Sequence, residues 1–228
     1  MNDPVVKVAE RNVSYNFMAA EAWWILSGKN DVESIKPYPP SMGNYSDDGL
    51  TFRGAYGPKV IDQVDYAVTS LINDIDSRQS VISIWRENPR DSKDIPCTLN
   101  LQFIMRNQTL HCIANMRSSD IWIGYIYDIF NFSCIAKAVL IEYCRRNRVN
   151  PMVFKLGELI LNAGSQHLYD RNFGAASELI EGMSTAGVSV NTDIKINSLF
   201  KDTYYTSMFE FIDDLGEGKD VEFKTNKT

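Results

Sequence analysis

The residue best suited to nucleophilic chemistry is Cys97, in the sequence IPCT, which follows the polar stretch ENPRDSKD and begins an apolar strand. A cysteine at a strand edge can act as a nucleophile when nearby cations stabilise its thiolate, whereas most free cysteines are small core residues. Cys112, Cys134 and Cys144 lie inside apolar runs, which favours a place in the core. Because the chain has no CxxC pair, the cysteines predict reduced thiols rather than disulfides or zinc ligands.

Two other segments contain side chains that can bind a polar substrate. Arg117 and Ser118 follow a predicted strand, and a guanidinium beside a hydroxyl can clasp a phosphate. A surface ion pair between Arg117 and Asp120 is the alternative. His167 and Tyr169 alternate at a strand end, so both rings point the same way and can hydrogen-bond a sugar hydroxyl. Two satisfied core residues are the alternative there.

The composition excludes several classes of function. The 228 residues are 44% hydrophobic and 23% charged, the balance of a globular domain, and the net charge of −6 disfavours a general binder of nucleic acid or anionic membrane. HExxH, P-loop and GxGxxG motifs are absent, so no metal is expected. The apolar stretch 121–141 is interrupted by Asp128, Asn131 and Lys137, which indicates a buried region rather than a membrane span. With no secretion signal in the N-terminal sequence, we expect a cytoplasmic protein.

Hydrophobic periodicity predicts the elements that must position these residues. A helix is predicted over 14–28, with Ser14 as its N-cap, and the turn-rich segment 37–50 is predicted as a loop. Further helices are predicted over 61–75, 132–146 and 169–183, and strands over 81–85, 99–105, 109–116 and 152–161. We therefore predict a single α+β domain over 1–228, with a mainly antiparallel or mixed sheet, packed helices and a partly flexible tail over 213–228.

Six segments, in order along the chain, resemble motifs of the thymidylate synthase family. EAWWILSGKND is similar to ELLWFLxGxTN, AYGPKVIDQ to VYGxQWRxxxxxDQ, and DSRQSVISIWRENP to DSRRxxxxxWNP. IPCTLNLQF is similar to PCHxxxQF, MRSSDIWIGYIYDI to RSxDxxLGxPFNI, and GSQHLY to GDxHxY. The order and number of these matches are far more specific than any single motif. The resemblance implies the fold of that family, with a homodimer formed through the sheet.

The resemblance also implies a role for particular residues. Cys97 would add to C6 of a pyrimidine nucleoside monophosphate, and C5 would then attack the one-carbon unit of 5,10-methylenetetrahydrofolate. The other implied roles are acid/base chemistry through ordered water for Glu21, proton removal at C5 or ring support for Tyr56 and Asn100, phosphate binding for Arg117, Ser118 and the partner subunit's Arg78, folate binding for Asp120 and Gly124, and sugar binding for His167 and Tyr169. A nucleotide, a folate and a second copy of the chain are the implied partners, with no membrane and no nucleic acid.

Asp128 replaces the asparagine of the PFNI motif and bears on the choice of base. An amide matches the N3–H donor and O4 acceptor of uracil. A carboxyl group matches cytosine, with one oxygen accepting from N4 and the other sharing a proton with N3. Because a site built on such hydrogen bonds discriminates strongly, Asp128 predicts a cytidylate substrate, CMP or dCMP. The charged tail differs from the apolar C-terminus of the synthases, which weakly favours addition of water and hence a hydroxymethyl product.

Further departures leave parts of this prediction open. Gln79 replaces the second arginine of DSRR, Thr98 replaces the histidine of PCH, and the N-terminal arginine loop of typical synthases has no counterpart. We predict a cytidylate 5-hydroxymethyltransferase. The alternatives are a thymidylate synthase or dCMP 5-methyltransferase of the same fold, and a catalytically silent relative that binds nucleotide or RNA.

Overall fold

A computed structural model describes residues 1, 4–6, 8–88 and 90–185 of the chain. Five helices are present among these residues: α1 (Tyr15–Leu26), α2 (Val32–Ile35), α3 (Tyr56–Asn73), α4 (Gly124–Asn147) and α5 (Phe173–Thr185). The strands are β1 (Val81–Ser83), β2 (Thr98–Arg106), β3 (Thr109–Met116), β4 (Ser119–Asp120), β5 (Lys155–Ala163) and β6 (Gln166–His167). The predicted α+β class is confirmed, while the predicted tail over 213–228 lies outside the described residues.

The main sheet is mixed, with the strand order β1-β2-β3-β5. Strands β1, β2 and β3 pair antiparallel, whereas β3 and β5 pair parallel and are connected through α4. The β2–β3 hairpin turns at Asn107 and Gln108, whose φ values of 49° and 60° are those of a two-residue turn matched to the twist of the strands. The two strands predicted over 99–105 and 109–116 are therefore joined by a tight hairpin.

Helices α1 and α3 pack against each other and against α4, and α3 also packs against β1. Ser14 caps α1 by accepting a hydrogen bond from the backbone N–H of Phe17 (3.4 Å), as the sequence predicted. Helix α3 begins at Tyr56, five residues before the predicted start, and ends at Asn73, two residues before the predicted end, so that Ile75 lies beyond the helix with 42% of its surface exposed. At Gly57 a Cβ atom would lie 2.5 Å from the carbonyl oxygen of Lys29. The first turn of α3 therefore packs closely on the loop after α1.

Helix α4 is the central helix of the core. This helix was predicted to begin near residue 132. In the structure it begins at Gly124 and therefore includes Asp128. By length and hydropathy alone it is the one described helix that could cross a membrane. However, 67% of its most apolar window is buried inside the protein, and core helices pass the same test. Its buried positions lie all around the helix because it packs against α1, α3 and the sheet.

One face of the sheet is covered and the other is open. Leu101, Phe103 and Met105 of β2 are fully buried, whereas the alternate side chains on the opposite face are half-buried. Two predicted bounds near the end of the described chain are wrong. The strand expected over 152–161 begins at Lys155 because Pro151–Val153 forms a 3-10 turn, and the helix expected over 169–183 begins at Phe173 after a 3-10 turn at Asp170–Asn172.

Candidate active site

A cavity of about 200 Å³ brings together four of the predicted catalytic residues from separate elements. They are Glu21 from α1, Tyr56 from the first turn of α3, Cys97 just before β2, and Asp128 from the first turns of α4. We call it the Cys97 cavity. The rest of its wall includes the apolar side chains of Trp24, Ile25, Met42 and Phe52, and the polar side chains of Asp94 and Asn131.

Cys97 is a half-buried thiol at the junction of two loops. Burial raises the pKa of this thiol, and the nearby positive charge of Arg117 opposes that rise. The negative charges of Asp128 and Asp94 raise the pKa further. The thiolate is therefore favoured when the neighbouring carboxyl groups are neutral or when a cation lies close. Cys112, Cys134 and Cys144 are buried in the core, as the sequence predicted.

Glu21 and Asn131 form a polar pair in the wall of the Cys97 cavity. Asn131 donates a hydrogen bond from Nδ2 to Glu21 Oε2 (2.7 Å) across α4 and α1. Burial raises the pKa of Glu21 to about 7, and the hydrogen bond from Asn131 moderates this increase. A carboxyl group with this pKa can both give and take a proton near neutral pH. Asn131 was not among the site residues predicted from the sequence. Its position one helical turn from Asp128 could have placed it on the same face of the helix.

Asp128 lies deep in the wall of the same cavity. Burial raises the pKa of its carboxyl group to about 8, and the negative charges of Glu21 and Asp120 add to the increase. Among the described residues, no hydrogen bond to this carboxyl group is found. At neutral pH it is therefore mainly a neutral acid, able to offer one donor and one acceptor to a bound molecule.

Tyr56 is held over the start of β2. Thr98 donates a hydrogen bond from Oγ1 to the Tyr56 hydroxyl oxygen (2.9 Å). Burial, reinforced by the nearby negative charge of Asp128, raises the pKa of this phenol above its ordinary value. Tyr56 is therefore a neutral hydroxyl that can donate its proton into the cavity. Thr98, which departs from the family motif, fixes this hydroxyl in place.

Asp94 connects the two loops that form the mouth of the Cys97 cavity. The backbone N–H of Gly54 donates to Asp94 Oδ2 (2.6 Å). A Cβ atom at Gly54 would lie 2.8 Å from Asp94 Oδ1. Only a residue without a side chain allows this approach. Burial raises the pKa of Asp94. Neither residue was among the sequence candidates.

Arg117 anchors the loop that contains Cys97. Its Nε donates to the carbonyl oxygen of Pro96 (3.0 Å) and its Nη2 to that of Ile95 (3.1 Å). Among the described residues, Arg117 forms no ion pair with Asp120, so the alternative of a surface ion pair between these two residues is not observed. Two of the directions in which the guanidinium can donate are thus occupied by backbone carbonyls. Fewer remain for an anionic ligand.

The predicted sugar-binding residues form a second group, the ribbon cluster of Ser118, His167 and Tyr169. Strands β4 and β6 pair parallel, with Asp120 opposite His167. Ser118 Oγ and His167 Nδ1 form a hydrogen bond of 3.3 Å. The rings of His167 and Tyr169 meet edge to face, with centroids 4.9 Å apart. Phosphate and sugar candidates therefore share one local unit, although 49 residues separate Ser118 from His167.

Besides Arg117 and the ribbon cluster, four further candidates are not part of the Cys97 cavity lining within this chain. Arg78 is exposed in the turn before β1. Asn100 accepts a hydrogen bond from Asn115 (2.8 Å) on the sheet. Asp120 accepts from the backbone N–H of Trp122 (2.9 Å). At Gly124 a Cβ atom would lie 3.6 Å from Asp128 Oδ2 and 3.7 Å from Asp120 Cβ. Asp120 and Gly124 are thus next to the cavity wall, and their predicted role stays a prediction.

Comparison with known proteins identifies the relatives of this chain. The family model described as thymidylate synthase matches residues 3–213. A deoxyuridylate hydroxymethyltransferase of Pseudomonas phage M6 is 36% identical over 141 residues, which cover 58% of this chain and 40% of that protein. One of Bacillus phage SP01 is 30% identical over 206 residues, covering 80% and 50%. Thymidylate synthase 1 of Bacillus subtilis strain 168 is 25% identical over 186 residues, covering 75% and 63%. The chain spans about half the length or less of the two phage proteins.

Proposed function

Because the chain belongs to the thymidylate synthase family, we propose that it transfers a one-carbon unit to C5 of a pyrimidine nucleoside monophosphate and releases a 5-hydroxymethyl product, with (deoxy)cytidylate as the first candidate substrate. The observation that carries this proposal is the Cys97 cavity itself. It places a thiol, an acid/base carboxyl group with a pKa of about 7, and a neutral acid with a pKa of about 8 around one space.

In the proposed reaction Cys97 begins by attacking the base. Its thiolate sulfur forms a bond to C6, and the electron pair of the C5–C6 double bond moves toward C4 and N3. Asp128 gives its proton to N3, which neutralises the negative charge that develops in the ring. C5 is then nucleophilic. After C5 has bonded to the one-carbon unit, its proton leaves through water to Glu21, and the neutral Tyr56 hydroxyl can orient that water. Loss of tetrahydrofolate would leave an exocyclic methylene at C5, and addition of water to it would give the hydroxymethyl group. N3 then returns its proton to Asp128 as the bond between C6 and sulfur breaks, which regenerates Cys97.

The proposed co-substrate is 5,10-methylenetetrahydrofolate, which supplies an electrophilic one-carbon unit. Trp24, Ile25, Met42 and Phe52 contribute apolar side chains to the cavity wall, and such side chains are suited to pack against a flat ring system. Asp120 and Gly124 lie next to Asp128, where the family motif implies contact with folate. With Gly124 in this position, no side chain separates Asp120 from Asp128. These residues support the proposal that folate and nucleotide meet beside Cys97.

Asp128 is the basis for placing cytidylate first. Its neutral carboxyl group can donate to N3 of cytosine and accept from the N4 amino group, so both hydrogen bonds of that edge are made. The same neutral acid can also pair with uracil if its proton moves to the other oxygen, and the two phage relatives are named for deoxyuridylate. Deoxyuridylate is therefore the second candidate. A proton on N3 activates cytosine for attack at C6, which favours cytidylate.

We further propose a homodimer formed through the open face of the sheet, in which Arg78 of each subunit reaches the phosphate site of the other. Half-buried side chains cover that face, and Ile160 of β5 has 44% of its surface exposed. Arg78 is exposed and lies outside the Cys97 cavity of its own chain. A second subunit would supply a cation that this chain does not direct to its own site.

The proposed function is tested by release of tritium from [5-³H]dCMP, [5-³H]CMP and [5-³H]dUMP, with methylenetetrahydrofolate present and product mass measured. We expect release from a cytidylate and a hydroxymethyl product. We expect Asp128→Asn to shift the kcat/KM ratio toward dUMP by about 10²-fold or more. An unchanged ratio would refute the role of Asp128, and a methyl product would favour the synthase alternative. No release from any of the three nucleotides would leave only the silent relative.

A further inference from the structure

A second cavity, of about 80 Å³, lies behind the wall of the Cys97 cavity. Three arginines line it, namely Arg53, Arg86 and Arg90, and we call it the arginine cleft. Asp94, Ile95 and Pro96 line both cavities and so form a shared wall between them. No site residue predicted from the sequence lies in this cleft.

The three positive charges of the arginine cleft are only partly balanced, since the Asp47 carboxylate lies near Arg53 and the Asp94 carboxylate lies near Arg86. Among the described residues, no ion pair or hydrogen bond of the Arg53, Arg86 or Arg90 side chains is found. Arg53 lies close enough to lower the pKa of Arg86 by repulsion, which adds to the effect of burial, and Asp94 opposes it. Guanidinium groups that converge in this way, in a chain of net charge −6, are stabilised by an anion that bridges them.

The shared wall connects the arginine cleft to the chemistry at Cys97. Arg117 uses Nε and Nη2 to hold the Pro96 and Ile95 carbonyls, so its capacity for an anionic substrate is reduced. Gly54 and Asp94 bind each other and fix Arg53 beside this wall. The three arginines thus lie beside the loop that carries Cys97, across the wall that the two cavities share.

We propose that the arginine cleft is an oxyanion subsite for a molecule bound in the Cys97 cavity. Its ligand is a phosphate monoester or carboxylate group, and it is supplied either by the 5′-phosphate of the nucleotide or by the glutamate of the folate. The choice between these two sources rests on the proposed function, because it depends on which ligands the chain binds. The presence of an oxyanion site at Arg53 and Arg86 is independent of the proposed function.

Calorimetric titration of the full chain at low salt tests the source of the anion. Each pair of ligands differs by one anionic group: dCMP against deoxycytidine, and tetrahydrofolate against tetrahydropteroic acid. The variant is Arg53→Gln with Arg86→Gln, and Arg145→Gln is the control because Arg145 pairs with Glu142 on the far end of α4. We expect the double variant to weaken one charged ligand by about 10-fold or more. Its uncharged partner and the control variant should bind as before.

The ligand pair whose charged member binds more weakly to the double variant identifies the source of the anion. If the double variant and the parent chain bind both charged ligands equally well, the proposal is overturned. A double Lys variant at Arg53 and Arg86, which keeps the charge but loses the bidentate fork, should show a smaller loss and replaces the Gln variant if that one does not fold. If the parent chain binds neither a nucleotide nor a folate, the proposed function fails. In that case inorganic phosphate decides the matter. Inorganic phosphate should raise the melting temperature of the parent chain, compared with chloride at equal ionic strength, and should not raise that of the double variant. Equal increases in melting temperature for the two chains would overturn the proposed subsite.

Discussion

The Cys97 cavity and the ribbon cluster solve two different physical problems. In the Cys97 cavity, Glu21, Asp128 and Cys97 are partly shielded from water, and burial raises the pKa of all three. In the ribbon cluster, polar groups stay near the surface and are oriented by each other, through the hydrogen bond between Ser118 and His167. Chemistry needs groups whose proton affinity has been changed, whereas recognition needs groups whose direction has been fixed.

The two regions also differ in how complete they are within one chain. The cavity draws its polar groups from α1, α3, α4 and the loop before β2, all in one subunit. Next to the ribbon cluster, Arg117 donates to two backbone carbonyls, and Arg78 is not part of the cavity lining of its own chain. The proposed catalytic groups therefore come together within a single folded chain. The proposed phosphate site needs cations from elsewhere, either a second subunit or the arginine cleft.

The largest expected effect tests whether the cavity contains the nucleophile. Cys97→Ala should reduce kcat/KM by at least about 10⁴-fold, because no other group forms the bond to C6. Cys112→Ala is the matched control, since Cys112 is a fully buried core cysteine of β3. That variant should lose about 1 kcal/mol of stability and keep its activity once folded. Comparable losses of activity in both variants would contradict the assignment of Cys97.

A mixing experiment tests whether the phosphate side is completed by a second subunit. Cys97→Ala and Arg78→Gln chains should each have low activity alone. Unfolded together in equal amounts and refolded, they should recover about a quarter of the parent activity, because half of the dimers are mixed and one of two sites in each is intact. Tritium release measures the recovery. If the mixture is no more active than the sum of its separate components, Arg78 does not act across subunits.

A third expected effect is the pH dependence of the free energy of unfolding that arises from the buried acids. The pKa values of Glu21 and Asp128 in the folded chain are about 7 and about 8, above the ordinary values of 4.5 and 3.8. The folded state therefore holds these protons more tightly. The resulting stability is complete below the ordinary values and is lost as the pH rises through about 7 and then about 8.

Denaturant unfolding between about pH 5 and pH 9 measures this loss. The Glu21→Gln, Asp128→Asn double variant has no protons to release at these positions, so its stability should fall less across the range. A variant with His167→Asn serves as the comparison from the ribbon cluster and should keep the slope that belongs to the two acids. Equal slopes in the acid double variant and the parent chain would show that burial does not raise these pKa values.

Much of the fold could be predicted from local sequence signals. Ser14 caps α1, and the Asn107–Gln108 turn joins β2 to β3, because both depend on interactions within a few residues. Bounds were wrong where tertiary contacts decide them. Helix α3 extends back to Tyr56, where Gly57 packs against the Lys29 backbone. Helix α4 starts eight residues before the predicted position, and Ile126 and Phe130 of its first turns are buried in the core.

The sequence by itself determined the types of residue available for chemistry. A thiol at Cys97, carboxyl groups at Glu21 and Asp128, and a ring pair at His167 and Tyr169 are visible in their motifs, and the motif order indicated the family. Only the tertiary structure decided their states. The fold brings Asn131 against Glu21, places Asp94 against Gly54 and gathers three arginines behind Cys97. The physical reason is that proton affinity and electrostatic field depend on burial and on distances between distant parts of the chain, which no local pattern records.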